Sequence, residues 1–459
     1  MITENKKYVL FSPVGTHDPI GVPLNNKPSE GSMLHIIRHY KPEAVYLYIT
    51  KELNYHDDRY KNAIKKFYPE CKVYNIISNI DEDDVNNYDI FMPDFKKYIN
   101  KLHKKYQDHE ILLNISSGTP QMKSSLILEV ISSSIKLIPI QVSTPTKKKN
   151  FEDHFNDEDL DKIDESNENI INRCSKVEVL SFKRSKLQSQ IESLVKNYEY
   201  SAALEILKGD ESSLDLFKKE LSLYLEHCIY RSNSQFKMAK KIFSSNNIKV
   251  IDYSNNDTVR EFFEYFYIMK IKQSKGLLSD FILRITPFIT KLLFYYLNNV
   301  CELDIKKYIN ISANKTRFIK RDLIEQHNKE LLHFLDEIYK PSEFRDTFLN
   351  FNTLIDIALF YHRQFDKNIF YGKNIDINKY KSIYSIFRHF AQIEKERNRV
   401  AHTMIDMDEN CMIKNFHINS YDVLCKCQAL LCKILNYNRD YFVYDEINKE
   451  IFNLLQKIN

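Results

Sequence analysis

The sequence predicts an α/β N-terminal domain with a doubly wound parallel sheet, followed by an all-α remainder, and three observations carry that prediction. Four of the seven glycines and ten of the twelve prolines precede residue 146, so turn formers and helix breakers crowd one end of the chain. In that same end, short apolar runs alternate with helical patterns, as strand, crossover helix and parallel strand require. Beyond it, amphipathic segments follow one another with little to break them.

Each element follows from its own residues. "YVLF" (8–11), "AVYLYIT" (44–50), "KVYNII" (72–77), "EILLNI" (110–115) and "KLIPIQV" (136–142) are short runs rich in aliphatic and aromatic residues, which suits strands buried on both faces. Helical stretches separate them at about 32–40, 57–68, 94–106 and 120–133. Right-handed crossovers give a sheet whose ligands bind beyond the carboxyl ends of its strands. Residues 146–169, "TKKKNFEDHFNDEDLDKIDESNEN", carry dense charge and little to bury, which reads as a loop or linker. The acidic run Asp81 to Asp84 reads as a solvated loop or helix start rather than a metal site. From about residue 183, "SKLQSQIESLVKNY", "YSAALEIL", "SLDLFKKELSLYLEHCIY", "DTVREFFEYFYIMKIKQ" and "LLSDFILRITPFITKLLFYYLNNV" are amphipathic helices without a fixed-period repeat. The expected division is an α/β domain at 1–180, a helical linker domain at 181–280 and a second helical domain at 281–459.

Composition narrows the function. At 459 residues the chain exceeds one ordinary core. A formal net charge of +4, with both signs interspersed, excludes a protein that coats polyphosphate, so any nucleic-acid contact is local. The first twenty residues lack a signal peptide's apolar core and no apolar run is of membrane-spanning length, so the expectation is a soluble, cytoplasmic protein. Eight cysteines without a regular framework fit a reducing compartment. Cys425, Cys427 and Cys432, with His417 nearby, invite a zinc reading, but their spacing is not the paired CxxC of structural sites. Core packing is expected instead.

Two loops at strand ends hold the candidate ligand chemistry. "SPVGTHDPIGVPLNNKPSEGS" follows the first strand and "SSGTPQM" follows the fourth; neither is a dinucleotide fingerprint nor a P-loop. "SSGTPQM" supplies hydroxyls, a glycine that permits close backbone approach, and Pro120 opening a helix whose free N–H groups favour an anion. A tight turn capped by Thr119 explains the same residues equally well.

"RNRVAH" (397–402) is the other conspicuous stretch. Before it, Ile383, Ile386, Phe387, Phe390 and Ile393 or Glu394 fall on one helical face, and Arg397 continues that face. A guanidinium there needs an anion, an interface or a water-filled cleft. Arg321 and His327 in "RDLIEQH" offer a similar pair, but they lie in a strongly charged run that exposure explains. Paired arginine and histidine suit RNA self-cleavage by the 2'-hydroxyl: histidine exchanges protons near neutral pH, and arginine supplies fixed charge to phosphate oxygens. That chemistry requires no metal, and one histidine per chain points to a two-fold dimer that pools two. A buried ion pair between Arg397 and Glu394 or another acid is the structural alternative.

Taken together, these motifs carry a resemblance. "RNRVAH" near the end of a helical C-terminal domain looks like the Rx4-6H motif of HEPN ribonucleases. The doubly wound N-terminal domain with "GTHDPIG" and "NISSGTPQM" resembles the Rossmann-like CARF domain that senses cyclic oligoadenylates. Their order in one chain resembles the Csm family of type III CRISPR ribonucleases. The resemblance implies an antiviral, allosterically activated, metal-independent endoribonuclease that cuts single-stranded RNA to 2',3'-cyclic phosphate ends. It implies a homodimer with a composite ligand pocket and a composite nuclease cleft, no membrane association, and no cofactor beyond the activator. Arg397 and His402 are then catalytic, with Asn398 in support. Thr16, His17, Asp18, Thr50, Ser117, Gly118, Thr119, Pro120, Gln121 and Met122 line the activator pocket. Similar proteins from AT-rich Gram-positive bacteria suggest a cyclic hexa-adenylate activator, and similar CARF domains suggest slow ring cleavage aided by Thr119. Two other functions fit parts of the sequence. A CARF-type regulator that binds DNA or protein without cleaving should carry a basic helix-turn-helix, which the sequence does not offer. A constitutive HEPN toxin should cut RNA without the activator.

Overall fold

A computed structural model of the 459-residue chain describes residues 6–21, 29–51, 53, 57–78, 80, 87–143, 171–209, 215–246, 248, 256–367, 375–401, 407–438 and 441–457. At helical residues 57, 215, 216, 392, 395–401, 415 and 416 only the backbone is described. The acidic run at 81–84 and the whole of the charged stretch at 146–169 lie outside these residues. The chain forms two compact units, 1–186 and 187–459.

In the first unit the strands are β1 (Tyr8–Pro13), β2 (Ile20–Gly21), β3 (Ser29–Glu30), β4 (Ala44–Ile49), β5 (Lys72–Ile77), β6 (Glu110–Asn114), β7 (Leu137–Val142) and β8 (Cys174–Lys176). The sheet order is β5-β4-β1-β6-β7-β8, parallel except for β8, and Leu10 of β1 sits between Val45 of β4 and Leu112 of β6. Alternation divides the strand residues between two cores. Leu10, Val45, Leu47 and Leu112 pack with α1 (Ser32–Tyr40) and α2 (Asp57–Phe67). Val9, Phe11, Tyr48 and Leu113 pack with α3 (Tyr88–Lys105) and α4 (Pro120–Ser132). Each such side chain buried is worth about 1.5–3 kcal/mol, which is why strands covered on both faces read as unbroken apolar runs. The α3 helix starts earlier than Pro93 suggests, because Asn87 caps it by accepting from the Asp89 N–H.

The second unit is built on helices. They are α5 (Leu180–Lys196), which begins in the first unit, α6 (Tyr200–Gly209), α7 (Asp215–Ser232), α8 (Phe236–Ser245), α9 (Asp257–Ser274) and α10 (Leu278–Tyr295). Then come α11 (Arg321–His327), α12 (Lys329–Ile338), α13 (Phe351–Asp366), α14 (Ile377–Ala401), α15 (Glu409–Phe416), α16 (Ser420–Leu435) and α17 (Val443–Gln456). Helix α14 packs against α10, α13 and α16 through Ile383, Phe387, Phe390 and Ile393, all at most 4% exposed, so the apolar stripe lies where its periodicity put it. Cys427 sits in this core, where burial pushes its thiol up.

Two features depart from a purely helical reading. The short strands β9 (Ile309–Ile311), β10 (Arg317–Ile319) and β11 (Thr347–Phe348) form an antiparallel sheet between α10 and α13. A buried charge also lies under α7: the Arg231 guanidinium donates to both Glu264 carboxylate oxygens at 2.8 and 2.5 Å. His227 Nδ1 donates to the Ala239 carbonyl, leaving Nε2 to face Arg231 at 3.3 Å. Burial, then the nearby guanidinium, holds this histidine's pKa down at about 4, so the pair is complete without a second cation. Among the described residues no helix is long and apolar enough to cross a membrane.

Candidate functional site

The winding direction of the sheet reverses between β1 and β6, so the loops leaving these neighbouring strands diverge and open a crevice. The two loops meet at glycines. A Cβ on Gly15 would lie 2.9 Å from the Gly118 nitrogen, and Gly118 itself has φ +86°, so neither position tolerates a side chain without displacement.

Polar residues knit the floor. Asn114, closing β6, donates through Nδ2 to the Ser12 hydroxyl at 2.9 Å and the Ser32 hydroxyl at 3.3 Å. Ser32 and Ser117 share a 2.5 Å hydrogen bond, and Ser117 donates to the Asp18 carboxylate at 2.5 Å. Asp18 also accepts from the Gly15 and Met33 N–H groups at 3.1 and 3.3 Å. Burial pushes its carboxyl above the ordinary value even though these donors oppose the shift. The chain from Asn114 to Asp18 therefore joins the loop after β1 to the loop after β6.

The candidate ligand residues distribute around this floor. Thr16 and His17 are exposed at the tip of the first loop, and Asp18 is buried beneath them. Thr50 is buried at the end of β4. Ser117 is buried, while Gly118 and Thr119 are half-buried and Pro120 is exposed. Thr119 caps α4, its hydroxyl accepting from the Met122 N–H at 3.3 Å. Met122 is 1% exposed and packs in the core below, its sulfur held against Gly118. Gln121 Oε1 is buried without a hydrogen-bond partner among the described residues, an acceptor that a bound donor could satisfy.

Sequence reasoning missed Ser12, Ser32 and Asn114. The available signal was polarity in the wrong place: Ser12 and Asn114 interrupt apolar strands near their carboxyl ends. It also missed a neighbouring buried cluster, in which Glu30 takes hydrogen bonds from His35 Nδ1 at 3.1 Å and Arg38 Nε at 2.7 Å. The Arg173 N–H donates to His35 Nε2 at 3.1 Å, which leaves the ring proton on Nδ1 for Glu30. Burial would raise the Glu30 carboxyl, but the bonds and charges of His35 and Arg38 prevail and hold it below its ordinary value.

In the second unit, Arg397 and Asn398 lie on the last turns of α14, with only their backbone described, and His402 lies outside the described residues. Glu394, one turn before Arg397, is buried at 6% exposure. The other arginine-histidine pair corrects an expectation. Arg321 is not simply exposed charge: its fork donates to both Asp336 oxygens at 2.5 and 2.9 Å and to the Phe344 carbonyl at 2.8 Å. Asp336 also accepts from the Phe344 N–H, so Arg321 braces a turn, and His327 points to solvent.

Comparison with known proteins accords with both halves. Three family models match successive stretches: the Csm6 CARF domain at 70–174, the Csm6 6H domain at 177–232 and the Csm6 HEPN domain at 251–452. A CRISPR system endoribonuclease Csm6 of Enterococcus italicus is 27% identical over 67% of this chain and 72% of its own length. One from Streptococcus thermophilus is 24% identical over 98% of this chain and 100% of its own length. A solved structure described as Enterococcus italicus Csm6 bound to cyclic hexa-2'-fluoro-hexa-dAMP superposes with a TM-score of 0.71. It is 23% identical and covers 97% of this chain and 99% of that one, which shows a shared fold.

Proposed function

We propose, from the premise that this chain belongs to the Csm6 family whose CARF, 6H and HEPN domains it carries in order, that it is an endoribonuclease of type III CRISPR defence switched on by a cyclic oligoadenylate. The observation that carries this reading is the junction of two loops 99 residues apart in sequence, where Ser117 holds Asp18 at the switch point of the sheet. A ring of ribose and phosphate groups suits that place. The helix behind Thr119 presents backbone N–H groups, and the buried Gln121 oxygen presents an acceptor. The E. italicus protein was solved with an analogue of cyclic hexa-adenylate, which supports the six-membered ring as activator.

In this account two chains pair, so that two sets of loops surround one symmetric ring and two "RNRVAH" stretches share one cleft. His402 exchanges protons with the 2'-hydroxyl and the leaving 5'-oxygen, Arg397 stabilises the charged phosphorane, and Asn398 positions them. No metal or other cofactor takes part, and the products carry 2',3'-cyclic phosphate and 5'-hydroxyl ends. Thr16, His17, Thr50 and residues 117–121 face the ring, with Asp18 and Met122 supporting them from below. Thr119 additionally places a ribose hydroxyl of the ring for slow cleavage, which limits the duration of activity. The test is cleavage of a single-stranded RNA in EDTA with and without cyclic tetra- and hexa-adenylate. Cleavage that requires the hexamer supports the reading, and cleavage indifferent to either ring refutes it.

A further inference from the structure

The small sheet of the second unit presents a face that packing does not explain. Its register sets Phe318 directly opposite Phe348 on one side and Asn310 on the other. Successive strand residues point to opposite faces, so this row faces away from Ile319, which is fully buried. The two phenyl rings lie 4.6 Å apart at 33°, and Phe348 is 60% exposed. Phe318 is half-buried and has Lys320 over its ring at 5.9 Å, so an exposed ring is held against a supported one on adjacent strands, which forms a rigid surface for another flat group.

Charge around the rings indicates what that group belongs to. Residues 305–321 contain six cations and no acid. Lys307, Lys320 and Arg321 pair with Asp304, Asp346 and Asp336. Lys306, Lys315 and Arg317, together with Arg345 beside β11, are exposed and have no carboxylate within ion-pair distance among the described residues. Arg317 rests over the Phe294 ring at 5.6 Å, which fixes its direction without neutralising it. A protein interface concentrates apolar area and sheds charge at its centre; two rings among unpaired cations do the reverse.

We propose that this face is a stacking platform for bases of single-stranded RNA, with Phe318 and Phe348 each taking a base and the surrounding cations meeting the phosphates. Every base offers a π-face to such a platform, and Asn310 adds a donor and an acceptor at base-edge height. The proposal deepens the ribonuclease reading by giving the substrate a second hold on the nuclease unit, and rests on it only for what becomes of the RNA afterwards.

The test is binding of a fluorescent single-stranded 2'-O-methyl RNA, which cannot be cleaved through its 2' position, to the full-length protein by anisotropy. Phe348→Ala and Phe348→Leu should each weaken binding roughly five- to a hundredfold, the range that loss of one stacked base gives, while Phe348→Trp retains it. Leucine separates the alternatives, because it preserves an apolar contact with a protein but not a stack with a base. Unchanged RNA affinity in the alanine and leucine variants overturns the proposal. So does a change of sedimentation coefficient with RNA affinity intact, which would assign the face to a second copy of this chain. Failure of Arg397→Ala or His402→Ala to affect cleavage would instead remove the catalytic reading and leave this binding result standing.

Discussion

Two places in this chain end an apolar element in polar residues, and they do so differently. At the carboxyl ends of β1 and β6 the polar groups answer one another: Asn114, Ser32, Ser117 and Asp18 form a continuous chain of hydrogen bonds. At the end of α14 the buried stripe of Ile383, Phe387 and Phe390 runs into Arg397, a permanent charge. The first arrangement holds geometry, so damage to it should alter how readily a ligand sets the loops. On the proposed reading the second presents chemistry, so damage to it should alter rate. The contrast teaches that the two kinds of residue are separable by what their loss does to activator requirement and to maximal cleavage.

The largest effect that would break this contrast is expected at α14. Arg397→Ala and His402→Ala should each lower maximal cleavage by about 10²–10⁴, the usual worth of a positioned acid-base or charge-stabilising group, at every activator concentration. Arg321→Ala serves as the control. It unties the Asp336 turn and should lower the melting temperature while the folded fraction cleaves as before. Loss of rate in Arg321→Ala with none in Arg397→Ala would exchange the roles of the two pairs.

A smaller effect belongs to the floor of the sensor. Ser117→Ala removes the donor that Asp18 takes from the opposite loop and leaves a buried acceptor short of a partner, a cost of about 1–3 kcal/mol. Titration with cyclic hexa-adenylate should show the midpoint rising with the plateau retained. A lowered plateau at an unchanged midpoint would mean that this serine acts on chemistry instead. Thr119→Ala should shift the same midpoint less, because it loses a helix cap worth about 1 kcal/mol along with any contact to the ring. Following intact cyclic hexa-adenylate over time by chromatography checks its second role, with longer survival of the ring expected in the variant.

How much of this was legible beforehand depended on whether a cause was local. The inner strands β1, β4 and β6 were readable because each is buried on both faces and spells its burial in consecutive residues, as "EILLN" does; β5 was found by its aliphatic and aromatic run although it is an edge strand whose side chains stay half-buried or exposed. Strands β2, β3, β8 and β9 to β11 were not, since two or three residues carry no period and their pairing depends on distant partners. Arg321 was misread for the same reason: its partner Asp336 lies fifteen residues on, across a turn that sequence patterns do not reveal. Asp18 and Ser117 were both singled out, yet the bond between them spans 99 residues and required the sheet to be assembled first. The helix that carries Arg397 was legible from spacing alone.

The smallest predicted effect concerns pH and distinguishes two buried carboxylates of the sensor. Glu30 has a folded pKa below its unfolded value, so the stability it confers is present above the unfolded value of 4.5 and disappears as pH falls through the folded one. Asp18 is shifted the other way, and its ionisation costs stability above the ordinary value of 3.8. Glu30→Gln should therefore flatten the loss of stability below pH 4.5, read by chemical denaturation of the full-length protein across that range. An acid limb as steep as that of the unaltered chain would show that His35 and Arg38 do not hold Glu30 as described.

The central claim is that a ring bound between the β1 and β6 loops governs a metal-free nuclease at the end of α14. It is tested most directly by cleavage of a labelled single-stranded RNA in EDTA, with and without cyclic hexa-adenylate, for the unaltered chain and His402→Ala. The account predicts 2',3'-cyclic phosphate products only from the unaltered chain and only with the ring present. Equal cleavage without the ring, dependence on added metal, or full activity of the His402→Ala chain would contradict it.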